Sequence, residues 1–369
     1  MRSKVTEHRV ELLGLLLDEL ELFLRGLGQP TYRARQLCSW LHRGAAFAEM
    51  TDLPQALRAR LDELAIAGSL QLGEKRVASD GAAKYAFRTA DGHVIESVFI
   101  PHLDHTTVCV SSQIGCAFGC SLCTTGQQGL TRSLTAGEIV EQVVRVQQDH
   151  GRRQAPAQQD HDARVRNVVF MGMGEPLANY DAVLKAVRLL NSPQGLHIGA
   201  RHIAVSTCGL PDQIRRLARE HLQIALSISL HGATDEVRTR LVPINRTYPI
   251  AAVLAAAREY AQLTGRKVAF EYVVVPDWND SPEQARRLSE LVQGMPAMVN
   301  LIPRNPEEGR PDRAPALAFA ARLKERGVEV AVRRSRGAEV LGACGQLRSR
   351  VEAEEDAGRG HPRPAEESV

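Results

Sequence analysis

The sequence predicts an α/β protein: a partial, open β/α barrel preceded by a small helical module and a β-hairpin. Three observations lead there. Leucines recur at helical spacing near the start, as in LLGLLLDELELFLRGLG. Strict alternation then takes over in KYAFRTADGHVIESVFIP. Beyond residue 124, short β-branched runs alternate with longer helical patterns, the signature of a parallel sheet built from strand–helix units.

Taken in order, residues 1–70 read as a helical module. The leucine repeat at 11–24 gives a first helix, GLGQP a turn, RARQLCSWLHR a second helix and LPQALRARLDELA a third. Residues 71–101 read as a β-hairpin turning at Asp91-Gly92, a dipeptide that accepts positive φ. The barrel follows over 102–348. Its expected strands are RNVVFMGM, HIAVSTC, QIALSISL, KVAFEYVVV, MVNLIP and VEVAVRR. Between them lie the helices TAGEIVEQVVRVQQ, YDAVLKAVRLLN, LPDQIRRLAREH, IAAVLAAAREYAQLTG and SPEQARRLSELVQG. About six such units are fewer than the eight of a closed barrel, so an open one with its site at the C-terminal strand ends is expected. GRRQAPAQQDHD (151–162) reads as a polar loop, and the tail 349–369 has too little to bury and reads as disordered.

Composition narrows the function. The 369 residues carry a formal charge of +3 and 44% hydrophobic residues, as in a soluble globular chain. No run is apolar enough to span a membrane and no cleavable leader pattern precedes the first helix, so a cytoplasmic protein is expected. Its seven cysteines are then reduced unless they bind metal or react, which argues against a disulfide framework. Arginines cluster at 33/35, 215/216, 238/240/246 and 333/334/336. Such clusters are either solvated faces or phosphate-binding surfaces.

The chemistry concentrates in TVCVSSQIGCAFGCSLCTTGQQG. Cys116, Cys120 and Cys123 form C-x3-C-x2-C in a glycine-rich loop. A structural zinc site commonly has four ligands in two pairs, whereas three thiolates on a four-iron cluster leave one iron open to a ligand. Cys109 and Cys344 lie outside that motif and read either as small buried hydrophobes or as reactive thiols. Glu96 reads as an exposed strand charge or as a base. Gly174 and Glu175 in GMGEP read as a plain turn or as a ligand-binding strand end.

The cysteine loop, together with VVFMGMGEPLANY, ISLHGATDEVRTRLVPINRTYPI, LIPRNP and ACGQL, resembles the RlmN/Cfr family of radical S-adenosylmethionine (SAM) RNA adenosine methyltransferases, most of all its RlmN branch. TYRARQLCSWLH and MTDLPQALRARL are similar to the accessory domain of that branch. The resemblance implies one [4Fe-4S] cluster on Cys116, Cys120 and Cys123, and two SAM per turnover. It implies SAM contacts at Gly174, Glu175, Ser206, Ser229, Leu230, His231 and Asn305. In the implied reaction Cys344 is methylated and then joined to an adenine ring carbon, Glu96 accepts the displaced proton, and Cys109 releases the product through a transient disulfide. The implied partners are 23S rRNA, with C2 of a peptidyl-transferase-centre adenosine as target, and a tRNA adenosine beside the anticodon. A flavodoxin or ferredoxin supplies electrons, and the enzyme works as a monomer. Two rival expectations stand beside this: Cfr-like methylation of C8, and a non-catalytic zinc-stabilised RNA-binding protein. The chain departs from the pattern at Leu122, where an aromatic residue is common, at Arg304, and at Cys208 in STCG. Cys208 and Cys38 read as buried hydrophobes.

Overall fold

The computed structural model describes residues 9–153, 164–305 and 311–347. The expected polar loop lies outside the described residues from 154 onward, and the expected disordered tail 349–369 lies wholly outside them.

In the N-terminal module, β1 (Val10–Glu11) precedes α1 (Leu17–Gly26), α2 (Arg33–Leu41), α3 (Gln55–Leu64) and β2 (Ala65–Ile66), and β1 pairs in parallel with β2. The first helix therefore starts six residues later than the leucine repeat suggests. The reason is a close backbone approach: a Cβ on Gly14 would lie 3.0 Å from the Gly137 nitrogen. Leu12 and Leu13 are buried in the turn between β1 and the helix, so their burial mimics a helical stripe.

A strand not expected from sequence, β3 (Gln71–Val77), joins the hairpin of β4 (Ala83–Arg88) and β5 (Val94–Pro101). The turn falls at Asp91-Gly92, with Gly92 at φ +89°. Next come β6 (Thr106–Cys109), β7 (Gln113–Cys116), the short α4 (Thr124–Gln127), β8 (Gly129–Ser133) and α5 (Ala136–Arg153). The repeating units then run β9 (Asn167–Phe170), α6 (Tyr180–Asn191), β10 (Ile203–Thr207), α7 (Pro211–Ala218), β11 (Ala225–Ser229), α8 (Asp235–Leu241), α9 (Ile250–Thr264), β12 (Val268–Val274), α10 (Pro282–Val292), β13 (Ala297–Pro303), α11 (Ala314–Lys324) and β14 (Val330–Val332).

Among the described residues, ten strands form one sheet in the order β14-β13-β12-β11-β10-β9-β6-β5-β4-β3. From β6 to β14 all neighbours are parallel, whereas β3, β4, β5 and β6 pair antiparallel. The sequence reading missed β6 as the first barrel strand. Its TTVC run sits beside the cysteine loop and is only four residues long. The sheet is thus a partial barrel whose first strand carries the hairpin as a lateral extension.

One continuous apolar core runs from Leu12 in the module through the sheet to Leu323 in α11. Polar ties reinforce that docking. Glu141 of α5 accepts from the Ser69 and Leu70 N–H groups at 2.7 and 2.9 Å, and Glu11 accepts from Thr135 Oγ1 at 2.9 Å. The sheltered bonds to Glu141 fix register as well as contributing about 1 kcal/mol each, and the exposed Glu11–Thr135 bond adds less.

Candidate functional site

At the C-terminal ends of the parallel strands, the loop between β7 and α4 brings Cys116, Cys120 and Cys123 onto one wall of a cleft. The opposite walls include Gly174, Glu175, Ser206, Ser229 and His231. Five of the seven residues expected to hold SAM therefore converge there. Leu230 is fully buried behind this wall and anchors it through its N–H to the Glu271 carbonyl, 3.0 Å. Asn305 lines a neighbouring cavity instead.

The backbone explains why these side chains meet. Gly174 has φ +95°, and a Cβ there would lie 2.5 Å from the Gln113 Cβ, so the chain after β9 passes against β7 only with glycine. Ser111, buried between β6 and β7, donates from its hydroxyl to the Glu96 carbonyl at 2.6 Å and accepts from the Met173 N–H at 2.9 Å. His231 takes a left-handed conformation, φ 57°, which for a non-glycine residue is strain held by its surroundings. Its Nδ1 accepts from the Val273 N–H at 3.1 Å, and its carbonyl accepts from Asn279 Nδ2 at 2.8 Å. Burial, with the nearby Arg238 charge, pulls its pKa down to about 3, so it is a neutral imidazole.

Glu175 is buried with both carboxylate oxygens engaged. Oε1 accepts from the Leu177 N–H at 2.9 Å, and Oε2 from the Cys208 N–H at 2.7 Å. Burial raises its pKa while these amides oppose the shift. Cys208 is buried, as the sequence suggests, yet its backbone does more than fill space. Its carbonyl accepts from Arg238 Nη2, and Arg238, fully buried, is itself held by Asn245 Oδ1 and the Tyr248 carbonyl. Arg238, Cys208 and Glu175 thus form one relay that sets the carboxylate.

The donor set fits an iron–sulfur cluster. The three loop thiols are free, and in the metal-free chain burial pushes Cys116 up to about 11 and Cys120 up to about 12. Metal coordination reverses that preference by removing the thiol proton. Among the described residues no three His, Cys, Asp or Glu side chains converge on one point suited to a single ion. Three cysteines on a four-iron cluster bind three different irons and need no such point.

Cys344 stands where this cleft meets the second cavity, and it lines both. It is reached by solvent through them although protein surrounds it on other sides. Its segment is tied to the cysteine loop: the Thr124 N–H donates to the Gly345 carbonyl at 2.8 Å, and Thr125 Oγ1 donates to the Leu347 carbonyl at 2.7 Å. Asn305 Nδ2 donates to the Cys344 carbonyl at 3.3 Å. Cys109, at the end of β6, lines the second cavity too, and burial pushes its thiol up to about 12. The structure thus brings Cys109 and Cys344 to one cavity across more than two hundred residues of chain.

Glu96 lines neither space. It is buried on β5 and pairs with Lys84 Nζ at 2.8 Å. It shares a strand face with Val98 and with Ile100, which does line the second cavity. Glu271 and Arg333 also line the cleft; the sequence reading did not single out Glu271 and took Arg333 only as one of a surface or phosphate-binding arginine cluster. A glutamate inside the β-branched run VAFEYVV was the available signal, since an unpaired charge there is too costly to be incidental.

Residues 110–288 match the family model of the radical SAM superfamily, and residues 10–67 match that of the ribosomal RNA large subunit methyltransferase N-terminal domain. The chain is 45% identical over 357 residues to a probable dual-specificity RNA methyltransferase RlmN from Pelotomaculum thermopropionicum, covering 95% of this chain and 94% of that one. It is 44% identical, over 95% of both chains, to the dual-specificity RNA methyltransferase RlmN of Geobacter sulfurreducens. The crystal structure of a radical SAM methyltransferase from Sphaerobacter thermophilus matches with a TM-score of 0.86 at 45% identity, covering 92% of this chain and 99% of that one. The chain therefore belongs to the RlmN family of radical SAM RNA methyltransferases, whose cofactors are a [4Fe-4S] cluster and SAM.

Proposed function

We propose that the chain methylates C2 of an adenosine in the peptidyl-transferase centre of 23S rRNA, and of a tRNA adenosine beside the anticodon. The observation that carries this reading is the position of Cys344 between the cleft of the three loop cysteines and a second cavity that also holds Cys109. A thiol there faces a methyl donor on one side and a substrate on the other.

Adenine C2 is a poor nucleophile, so direct polar transfer from SAM does not serve. When bound, the cluster and SAM supply one-electron chemistry able to activate an otherwise inert methyl group. Cys116, Cys120 and Cys123 hold the cluster. Gly174, Glu175, Ser206, Ser229 and His231 hold SAM, with Leu230 anchoring their wall. Asn305 positions the Cys344 backbone. The Cys344 thiolate accepts a methyl group by displacement and carries it as a thioether to the base. Arg333 opposes the burial that raises the Cys344 pKa, and the nucleophile is the thiolate. Glu96, a buried carboxylate on the β5 face beside the second cavity, accepts the proton leaving the ring carbon. Cys109 attacks the Cys344 sulfur, forming a disulfide as the carbon–sulfur bond breaks; the carbon on the base keeps the bonding pair and takes up a proton to become the methyl group, and an external dithiol restores both thiols. The N-terminal module and the exposed arginines of the clusters, Arg35, Arg240, Arg246 and Arg334, hold the RNA backbone, whereas Arg238 is buried and Arg333 serves the cleft. The enzyme works as a monomer with a flavodoxin or ferredoxin as electron donor.

The test is anaerobic turnover of the iron-loaded enzyme with a 23S rRNA fragment, SAM and a reductant, followed by mass spectrometry of the nucleosides. The expected product is 2-methyladenosine. Finding 8-methyladenosine would overturn the regiochemistry, and stoichiometric zinc without methyl transfer would overturn the enzyme reading.

A further inference from the structure

The connection between β5 and β6 sits at the mouth of the second cavity and has no part in the chemistry above. It is a tight two-residue turn, Leu103-Asp104, closed by the His102 N–H donating to the His105 carbonyl at 2.9 Å. Strand pairing continues directly beneath it, Pro101 opposite Thr106. Leu103 at its tip is fully exposed, at 104% relative accessibility. The flanking imidazoles stack on each other with centroids 4.1 Å apart and planes 12° from parallel. Asp104 Oδ1 and His105 Nδ1 are 2.7 Å apart, which orients that ring. His102 and His105 line the cavity together with Arg334 and Arg336. Burial and the nearby His105 and Arg336 charges lower the His102 pKa, which favours an uncharged ring with a stacking face.

We propose that this turn is an RNA wedge: Leu103 enters the base stack beside the target adenosine, and the His102–His105 pair offers a stacking surface as that base swings into the second cavity. The inference rests on the RNA methyltransferase reading and adds the element that gives the base access. An adenine inside a stack must leave it before its ring carbon reaches Cys344, at a cost of a few kcal/mol. Apolar wedges on rigid supports are a general way to meet that cost, and aromatic faces hold the extruded base. The adjoining Arg334 and Arg336 match the phosphates flanking an unstacked nucleotide. A turn held by paired strands is a stiff support, and its leucine tip is fully exposed.

The test uses the full-length, iron-loaded protein and two RNAs: a hairpin with the target adenosine stacked in the stem-loop, and a short unstructured strand with the same adenosine. Each carries 2-aminopurine beside the target, whose fluorescence rises on unstacking. Wild type should raise the hairpin signal on binding. L103A should abolish that rise and cut kcat/KM on the hairpin by about tenfold, the scale of one base stack, with less than about threefold effect on the unstructured strand. L103M should restore both. Replacing the two histidines with alanine should lower the hairpin rate without raising the melting temperature difference from wild type. Equal losses on both RNAs, or no loss on the hairpin, would overturn the wedge. Should wild type unstack the hairpin yet methylate neither RNA, the wedge stands and the methyltransferase reading falls.

Discussion

Arg333 Nη2 donates to Glu271 Oε1 at 3.1 Å while the same guanidinium lines the cleft with the Cys344 thiol, whose raised pKa its charge opposes. Asn300 Nδ2 donates to the same Glu271 oxygen at 3.1 Å, so the carboxylate is a fixed post from which the arginine reaches the sulfur. Arg333 also touches the Met171 sulfur, which pins its other nitrogen. The positive charge is thus aimed, not merely nearby.

Removing that charge should slow the first methyl transfer. Burial raises the Cys344 pKa and Arg333 lowers it, so R333M should move the pH profile of Cys344 alkylation upward and slow labelling at neutral pH. Iodoacetamide labelling followed by peptide mass spectrometry reads this without turnover. R333K should recover only part of the rate, because an ammonium lacks the planar fork that contacts Glu271 and Cys344 together. An unshifted profile in R333M would refute the assignment.

Cys109 and the loop cysteines should fail in different ways. C109A should form S-methylated Cys344 and then accumulate a covalent protein–RNA adduct, visible as a slower band on a denaturing gel. C120A should lose the brown cluster absorbance and form no adduct. Free product release by C109A at the wild-type rate would remove Cys109 from the reaction.

Gly174 should not tolerate a side chain. G174A combines φ +95° with a Cβ placed 2.5 Å from the Gln113 Cβ, in a backbone that carries Glu175 into the cleft. A destabilisation of about 1–3 kcal/mol is expected from the strain and overlap. SAM affinity, measured by equilibrium dialysis with the anaerobic protein, should fall by at least about tenfold if the overlap moves Glu175 out of place.

His42 predicts an acid-sensitive fold. It is buried against Gly195, and its Nδ1 has no hydrogen-bond partner among the described residues. Burial lowers its pKa to about 4. The unfolded chain therefore binds the proton first: stability is full above pH 6.5 and falls as pH drops from there towards 4. Between pH 7 and 5 the loss from this one group is about 2 kcal/mol. The difference between wild type and H42L in urea unfolding at the two pH values isolates it from the carboxylates that titrate nearby. A parallel pH response in both proteins would count against His42.

Much of the molecule was legible because local pattern and global role agree. The strand–helix alternation could form only a largely parallel sheet, and C-x3-C-x2-C in a glycine-rich loop suited a compact inorganic core. β6 was missed because four residues show too little periodicity to separate a strand from the loop that follows. The late start of α1 was missed because Leu12 and Leu13 are buried from a turn and not from a helix of their own. Glu271 and Arg333 come from strands far apart in sequence, and their meeting at Cys344 depends on sheet order, which no local spacing encodes. Glu96 was read as an exposed strand charge or a base; it is buried instead, and its partner Lys84 could be paired with it only once the β4–β5 register was known.

The two hydrogen bonds from α4 tie the Cys344 segment to the loop that ends in Cys123. Cys344 is thereby braced by the cysteine loop itself as well as by the strand that leads to it. A displacement of that loop is passed to Cys344 through two short struts, so the spacing between the three loop thiols and the fourth is set locally and does not depend on the distant end of the sheet.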